Sequence, residues 1–457
     1  MFAAFGRLMR SPGFKFFLVL FLVLLISIPL YLAGVAVDER AGRARQVSEE
    51  VGHLWGPAQR LMGPFVVVPF TARVSEVQND KTVERLIELR AVFTPDSLNV
   101  EGQADAKFLH RSIYDVPVYA AHLRLTGRFG PLRIGDVEPS GIESVRWNDA
   151  IFVMTLSGVA GLKSEADLKI NGVVESPFAP SVGLLGDAPD GIHARLSPPS
   201  GSAFDPQAPF DFDVALDFNG SVGLSVAPVA KQTQMTLHSN WTTPSFGDAF
   251  LPTDRTIDSS GFRAHWDIPH LARSVPEAWR LQEGAGGLER FAPYVFGVRL
   301  VDPVDFYALV NRAMKYALMF VAMTFMAVFC FELILKRKVH AVQYLFTGVA
   351  LVLFYVLLLS GAEHIGFDPA YLIASAATGG MLATYVGAVL RSLLRGLEMA
   401  AVLATLFGLL YFILQLEDYA LLAGSLLGFA ALTATMFATL RVDWSGGGEE
   451  ERPAAAP

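Results

Sequence analysis

The chain has 457 residues, 52% of them hydrophobic, and a formal net charge of −8. The acidic balance, without any run of Lys and Arg, excludes a nucleic-acid binder. The one cysteine, Cys330, lies in an apolar run, so no disulfide framework is available. The mean hydropathy of +0.41 averages two different bodies, one suited to lipid and one to water.

The N-terminus carries Arg7, Arg10 and Lys15 and then the apolar run Phe14–Val37. A helix needs about 20 apolar residues to cross the hydrocarbon core, so this run reads as a first span. Gly34-Val35-Ala36 offers a signal-peptide cleavage site, but the apolar core exceeds the usual ~7–15 residues of such peptides. An uncleaved anchor is the expectation. Glu39–Leu54 is charged and amphipathic and is expected to be a helix.

The polar stretch from Asp38 to Asn311 is long enough to bury its own core and reads as mostly β. Gly63–Val74 is apolar and β-branched, Val83–Phe93 alternates imperfectly, and Val118–Phe129 places Leu123, Leu125 and Phe129 at period two. Phe210–Val226 alternates most strictly, with Phe210, Phe212, Val214, Leu216 and Phe218 on one side and Asp211, Asp213 and Asp217 on the other. Such a strand has one face on a core and one in water. Asn219-Gly220 is a hairpin-type turn signal. Met235–Trp241 and Phe262–Trp266 are shorter expected strands, and Pro269–Leu281 and Asp302–Asn311 are expected helices. Ser197–Ser202 and Gly284–Gly287 are expected loops. No period of ~20–50 residues recurs, which excludes a solenoid or propeller.

From Met314 to Leu440 the chain is almost continuously apolar. Its polar interruptions divide it into five further spans of about 20 residues: Lys315–Leu335, Val342–Gly361, Ala370–Leu390, Leu397–Leu416 and Tyr419–Leu440. Lys336-Arg337-Lys338, Arg391 with Arg395, and Arg441 alternate with the acidic Glu363–Asp368 and Glu417-Asp418. Basic loops resist export. Both termini are therefore expected in the cytoplasm and residues 38–311 in the periplasm. The reading is a membrane protein of α+β class with six transmembrane helices, one N-terminal and five C-terminal. A large β-rich periplasmic domain is inserted between the first and second. Its divisions are 1–37, 38–311, 312–440 and a disordered acidic tail, 441–457.

Catalytic signatures are absent from the sequence: there is no G-x-S-x-G elbow, H-E-x-x-H or P-loop, and Gly284–Gly287 lacks the spacing of a dinucleotide turn. No cofactor, metal or enzymatic activity is expected. His265 and His270 are the closest exported histidine pair, but Pro269 and the absence of a cysteine partner favour surface or core roles. The Asp211, Asp213 and Asp217 face reads as solvated, because calcium loops need a tight glycine turn between ligands. Ionisable residues in spans suggest function, which singles out Arg312, Lys315, Glu332, Glu363 and His364. Glu332 can pair with Lys336 one turn on, and Glu398 with Arg395. Arg312 and Lys315 can meet Glu363. The Glu363-His364 pair suits a domain-docking or hinge contact as well as proton handling. Ser375, Gly379, Ala383 and Gly387, and Ala420, Gly424 and Gly428, form small-residue stripes suited to helix packing and secondarily to a homo-oligomer. The spans lack the mid-membrane polar breaks of transporters.

Several strings together resemble the CreD family of bacterial inner-membrane proteins. They are Lys81–Arg85, Ser239-Asn240-Trp241, Pro244-Ser245-Phe246, Phe250-Leu251-Pro252 and Gly261–Trp266. In the membrane part they are Arg312–Ala317, Thr324–Ala327, Phe331-Glu332, Gln343-Tyr344-Leu345, Phe354-Tyr355 and Glu363-His364. The resemblance covers almost the whole chain in order. It departs at His340-Ala341, where the family tends to have His-Pro, and at Gly361-Ala362 before Glu363, where a Ser is usual. The resemblance implies a role in cell-envelope integrity, expression answering to a two-component system, and altered tolerance to colicins and β-lactams. It implies no reaction. The preferred expectation is a binding or structural module. Its partners would be membrane lipids and an envelope protein or peptidoglycan-related component. Trp241, Phe246, Phe250 and Trp266 are the candidate partner-binding residues. The alternative is a transporter or membrane-embedded enzyme using Glu332, Glu363 and His364.

Overall fold

The apolar runs fold as helices and the alternating segments as strands. The computed structural model describes residues 12–440 apart from 79–80, 139, 186–189, 197–203, 282–286, 301–305, 336–338 and 417–418. The expected loops at Ser197–Ser202 and over most of Gly284–Gly287, the basic Lys336–Lys338, the acidic Glu417-Asp418 and the tail lie outside the described residues. Two compact units form, one from Met1–Ala44 with Val304–Pro457 and one from Arg45–Pro303.

The first helix, α1 (Pro12–Trp55), is continuous, and its residues up to Ala44 belong to the helical unit. The expected span and the amphipathic helix after it are joined because no Gly or Pro breaks Val35–Ala41. Val19, Leu22, Val23, Ile26 and Leu30 of α1 enter the helical core at three- and four-residue spacing. The other helices are α2 (Phe306–Leu335), α3 (Ala341–Ile365), α4 (Phe367–Leu390), α5 (Leu393–Gln415) and α6 (Ala420–Thr439). Helices α1 to α5 are long and apolar enough to cross a membrane, and α6 carries a shorter apolar stretch, Leu422–Phe437. The part of the expected Asp302–Asn311 helix that is described begins α2 itself.

Two connections are tighter than the sequence suggests. The acidic loop expected over Glu363–Asp368 is the single residue Gly366, whose φ of +80° is open to glycine and costly for other residues. Arg391, at φ +49°, ends α4, and only Ser392 separates it from α5. Beside that turn the helices touch closely: a Cβ on Gly387 would lie 3.1 Å from the Gly396 Cα.

The Arg45–Pro303 unit is a two-layer β structure. The eight-stranded sheet has the order Asp254–Asp258, Gly261–Pro269, Gln232–Ser239, Ser97–Arg111, Tyr114–Phe129, Phe210–Ser221, Asp167–Ile170 and Val173–Pro177. The ten-stranded sheet is built around the long strand Gln59–Gln78, which pairs with Lys81–Phe93, Ile151–Leu156, Ile142–Val145 and Gly223–Val226. The inner faces of both sheets share one core. Phe152 of the ten-stranded sheet lies 5.5 Å from Phe212 of the other, and Phe296 lies 5.7 Å from Trp266. The last turns of α1 join this unit through Val47 and Val51, which pack on Val116 and Val118, and through the Trp55 indole, which donates to the Tyr119 carbonyl at 3.2 Å.

Two expected elements are corrected. Asn219-Gly220 is not a hairpin turn: both residues stay in the strand, opposite Ala120 and Tyr119. Glycine is needed there because a Cβ would lie 2.3 Å from the Tyr119 ring. The chain leaves the sheet at Val222, at φ +63°, and enters the other sheet at Gly223. Pro269–Leu281 is not a helix. It holds a 3₁₀ turn at His270–Ala272 and the strand Ala278–Leu281, which pairs with Arg90–Phe93.

Candidate functional site

Two carboxylates occupy opposite ends of the antiparallel α2–α3 pair, and each is held by a cation from α1. Glu332, in the last turn of α2, is 6% exposed. Lys15 Nζ donates to its Oε1, as does the Val339 backbone N–H at 3.0 Å, and the Tyr344 hydroxyl donates to Oε2 at 3.1 Å. Local sequence builds this arrangement. His340 caps α3, its Nδ1 accepting from Val342 N–H while its own N–H donates to Gln343 Oε1 at 2.8 Å. That cap sets the start of the helix that presents Tyr344, whose buried ring stacks edge-on to Phe325 at 5.6 Å. The partner expected for Glu332, Lys336, lies outside the described residues. Lys15, 317 positions away, could not be found from local spacing.

Glu363, in the last turn of α3, has an 8% exposed side chain. Tyr307 of α2 donates to its Oε1 at 3.1 Å, and Arg40 of α1 lies 3.8 Å from Oε2. Near it, Asn311 Nδ2 donates to Asp38 Oδ1 at 3.0 Å. The cation beside Glu363 is thus Arg40 rather than the expected Arg312 or Lys315. Arg312 donates to the Leu414 carbonyl at 2.8 Å, one of the carbonyls left open at the end of α5. Lys315 and His364 are exposed, whereas the Glu363 side chain is nearly buried. Arg395 and Glu398 pair as expected, at 2.6 Å. Lys15 and Arg40 are separated along α1 by about 37 Å at 1.5 Å per residue, so the two ties sit at the two rims of a span. Glu332 accepts from three donors, whereas Glu363 accepts from Tyr307 and has Arg40 only at ion-pair distance; both contacts tie α1 to the α2–α3 hairpin.

In the sheet unit, two of the four aromatic residues expected at a partner-binding surface, Trp241 and Trp266, are core residues. Trp266 has no exposed area and its indole donates to the Phe250 carbonyl at 3.3 Å. Trp241 is buried, packs on Phe108 at 5.0 Å and donates to the Thr243 carbonyl. Phe246 and Phe250 are partly buried against the same core. Phe262, Ala264, Trp266 and Ile268 all lie on the inner face of their strand.

The outer face of the eight-stranded sheet is polar and grooved. One hollow, of about 500 Å³, is lined by Glu101, His122, Arg124, Asp217, His238 and Arg263. It shares Gln103, His238 and Arg263 with a second, of about 340 Å³, that includes Asp105 and Asp258. Adjacent-strand pairing brings these residues together: Glu101 is opposite Arg124, Gln103 opposite His122, and His238 opposite Gln103 and Arg263. Arg124 donates to Asp213 through Nε at 3.1 Å and Nη2 at 2.8 Å, and His122 Nδ1 lies 2.7 Å from Asp217 Oδ1. Arg128 lies 3.6 Å from Asp211. The Arg124 guanidinium, chiefly by hydrogen bonding, holds the Asp213 carboxyl below its ordinary range. The aspartate row is open to solvent, as expected, and each member also meets a partner across the strands, Arg128, Arg124 or His122. His265 contacts Thr236 Oγ1 at 3.0 Å and His270 approaches Glu277 at 4.0 Å, so those two histidines serve different neighbours. Among the described residues no group of three His, Cys, Asp or Glu is placed to hold a metal.

A family model described as inner membrane protein CreD matches residues 11–445. The inner membrane protein CreD of Escherichia coli (strain K12) is 33% identical over 438 residues, 96% of this chain and 95% of that relative. Matched over nearly its whole length, spans and sheet unit alike, this multi-pass chain belongs to the CreD family of inner membrane proteins.

Proposed function

We propose that this protein is a non-catalytic module of cell-envelope integrity. Its sheet unit stands in the periplasm and binds an envelope component, with consequences for colicin and β-lactam tolerance. The observation that carries this reading is the grooved polar face of the eight-stranded sheet, where Glu101 and Asp217 alternate with Arg124, Arg263, His122 and His238. Mixed charge and neighbouring amides such as Gln103 suit a polar, hydrogen-bonding partner such as a peptidoglycan fragment or a protein segment. The basic and acidic ends of the spans support the periplasmic placement. The three donors on Glu332, and the Tyr307 and Arg40 contacts of Glu363, support a scaffold in the membrane over a transport or catalytic site.

A photoactivatable crosslinker placed in turn at residues 122, 238 and 263 in growing cells tests this. An adduct to an envelope component is expected. The double variant Arg124→Ala/Arg263→Ala should change colicin and β-lactam tolerance as removal of the protein does, while inserting at normal levels. No adduct from any of the three positions, together with unchanged tolerance, would overturn the proposal.

A further inference from the structure

Helices α4 and α5 touch closely at Gly387 and Gly396 and are held apart at their other ends by aromatic residues. There Tyr371 donates to the Phe407 carbonyl at 2.7 Å, and the Tyr371 and Tyr411 rings lie 5.3 Å apart. Between the helices lies an open, mainly apolar groove of about 710 Å³. Its floor is made of small residues, Ser375, Gly379 and Gly380 from α4 and Ala404 and Gly408 from α5. The small-residue stripe of α4 therefore divides: its Gly387 end serves helix packing, while Ser375 and Gly379 leave room for something else. At the mouth of the groove, in the first turn of α4, the exposed Asp368 carboxylate accepts from the Tyr411 hydroxyl at 3.0 Å. Among the described residues the groove lining contains no Lys, Arg or His.

Position and charge select the occupant. Helix α4 has 24 residues, about 36 Å at 1.5 Å per residue, so Asp368 at its end lies at headgroup depth and the groove runs into the hydrocarbon. An apolar slot with a carboxylate at its mouth and no lining cation fits an acyl chain whose headgroup offers an ammonium. It disfavours an anionic headgroup. We infer that the α4–α5 groove is a lipid site for a phosphatidylethanolamine-type molecule, with one acyl chain between the helices and its ammonium on Asp368. This site lies wholly in the helical unit and does not depend on the proposed periplasmic binding.

The groove can be filled without disturbing its walls. A Cβ on Gly380 or Gly408 would meet no atom within 4 Å, and an unstrained Leu in a helix improves on Gly. The full-length protein, reconstituted in equal amounts of phosphatidylethanolamine and phosphatidylglycerol and released for native mass spectrometry, should retain the first lipid about fivefold over the second. Gly408→Leu and, separately, Gly380→Leu should abolish the retained lipid while leaving the melting temperature unchanged or raised. Asp368→Asn should keep a retained lipid but lose the preference. Equal retention of the two lipids by the wild type would overturn the inference. So would undiminished retention in both leucine variants, or a dimer that Gly408→Leu dissociates with no change in bound lipid.

Discussion

The Glu332 tie gives a double-mutant cycle with a definite sign. Lys15→Met removes the cation but leaves a nearly isosteric apolar stem, and Glu332, 6% exposed, keeps only the Val339 N–H and the Tyr344 hydroxyl. Stranding one member of a fully buried ion pair costs about 3–5 kcal/mol. The Lys15 side chain is 24% exposed, so water screens part of the pair, and about 2–3 kcal/mol is the expectation here. Glu332→Gln alone strands Lys15, which can turn toward solvent, and should cost about 1–2 kcal/mol. The double variant should be more stable than Lys15→Met, because the uncompensated carboxylate is gone. Unfolding in mixed micelles with increasing dodecyl sulfate measures all four proteins. A coupling of about 1–2 kcal/mol is expected. If the single effects add, or Lys15→Met is silent, Glu332 is not tied to α1 as described.

Further substitutions test the fold. Gly220→Ala forces a Cβ to within 2.3 Å of the Tyr119 ring and should cost about 1–3 kcal/mol in denaturant unfolding, whereas Gly135→Ala, with nothing within 4 Å, should be near neutral. Gly366→Ala meets no atom either, but imposes a Cβ at φ +80°. It should lose about 1–3 kcal/mol by backbone strain alone, read as a lower unfolding midpoint. The Asp213 carboxyl is lowered in the folded state. Its stabilising contribution is therefore complete above the unfolded value of about 3.9 and is lost as pH falls through the lower folded value. Melting temperature followed from pH 6 to pH 3 should fall less steeply below about pH 4 for Asp213→Asn than for the wild type.

The sequence made the membrane spans and the strongest strands legible because each rests on a short-period pattern: apolar runs for α1 to α5, and strict alternation for Phe210–Phe218. The outer polar face was half legible. His122, Arg124 and Arg128 occupy the solvent parity of their strand, but only sheet order sets them beside Asp217, Asp213 and Asp211. The Asn219-Gly220 signal misled because a glycine that admits a cross-strand tyrosine looks the same as a turn glycine. Pro269–Leu281 misled because pairing with Arg90–Phe93 outweighed local helix preference. The two rim ties were hidden for a different reason. Lys15 and Arg40 reach carboxylates about 320 positions away, and no local spacing encodes such a contact. The buried indoles of Trp241 and Trp266 show that aromatic content alone does not mark a surface.

The side of the membrane on which the sheet unit stands decides whether its polar face can meet an envelope component at all. In a Cys330→Ser background, a single cysteine at exposed Asp105 or Asn171 can be treated in intact cells with a thiol reagent that crosses the outer but not the inner membrane. Labelling in intact cells equal to that after lysis is expected. Labelling that appears only after the inner membrane is opened would place the unit in the cytoplasm and contradict the account.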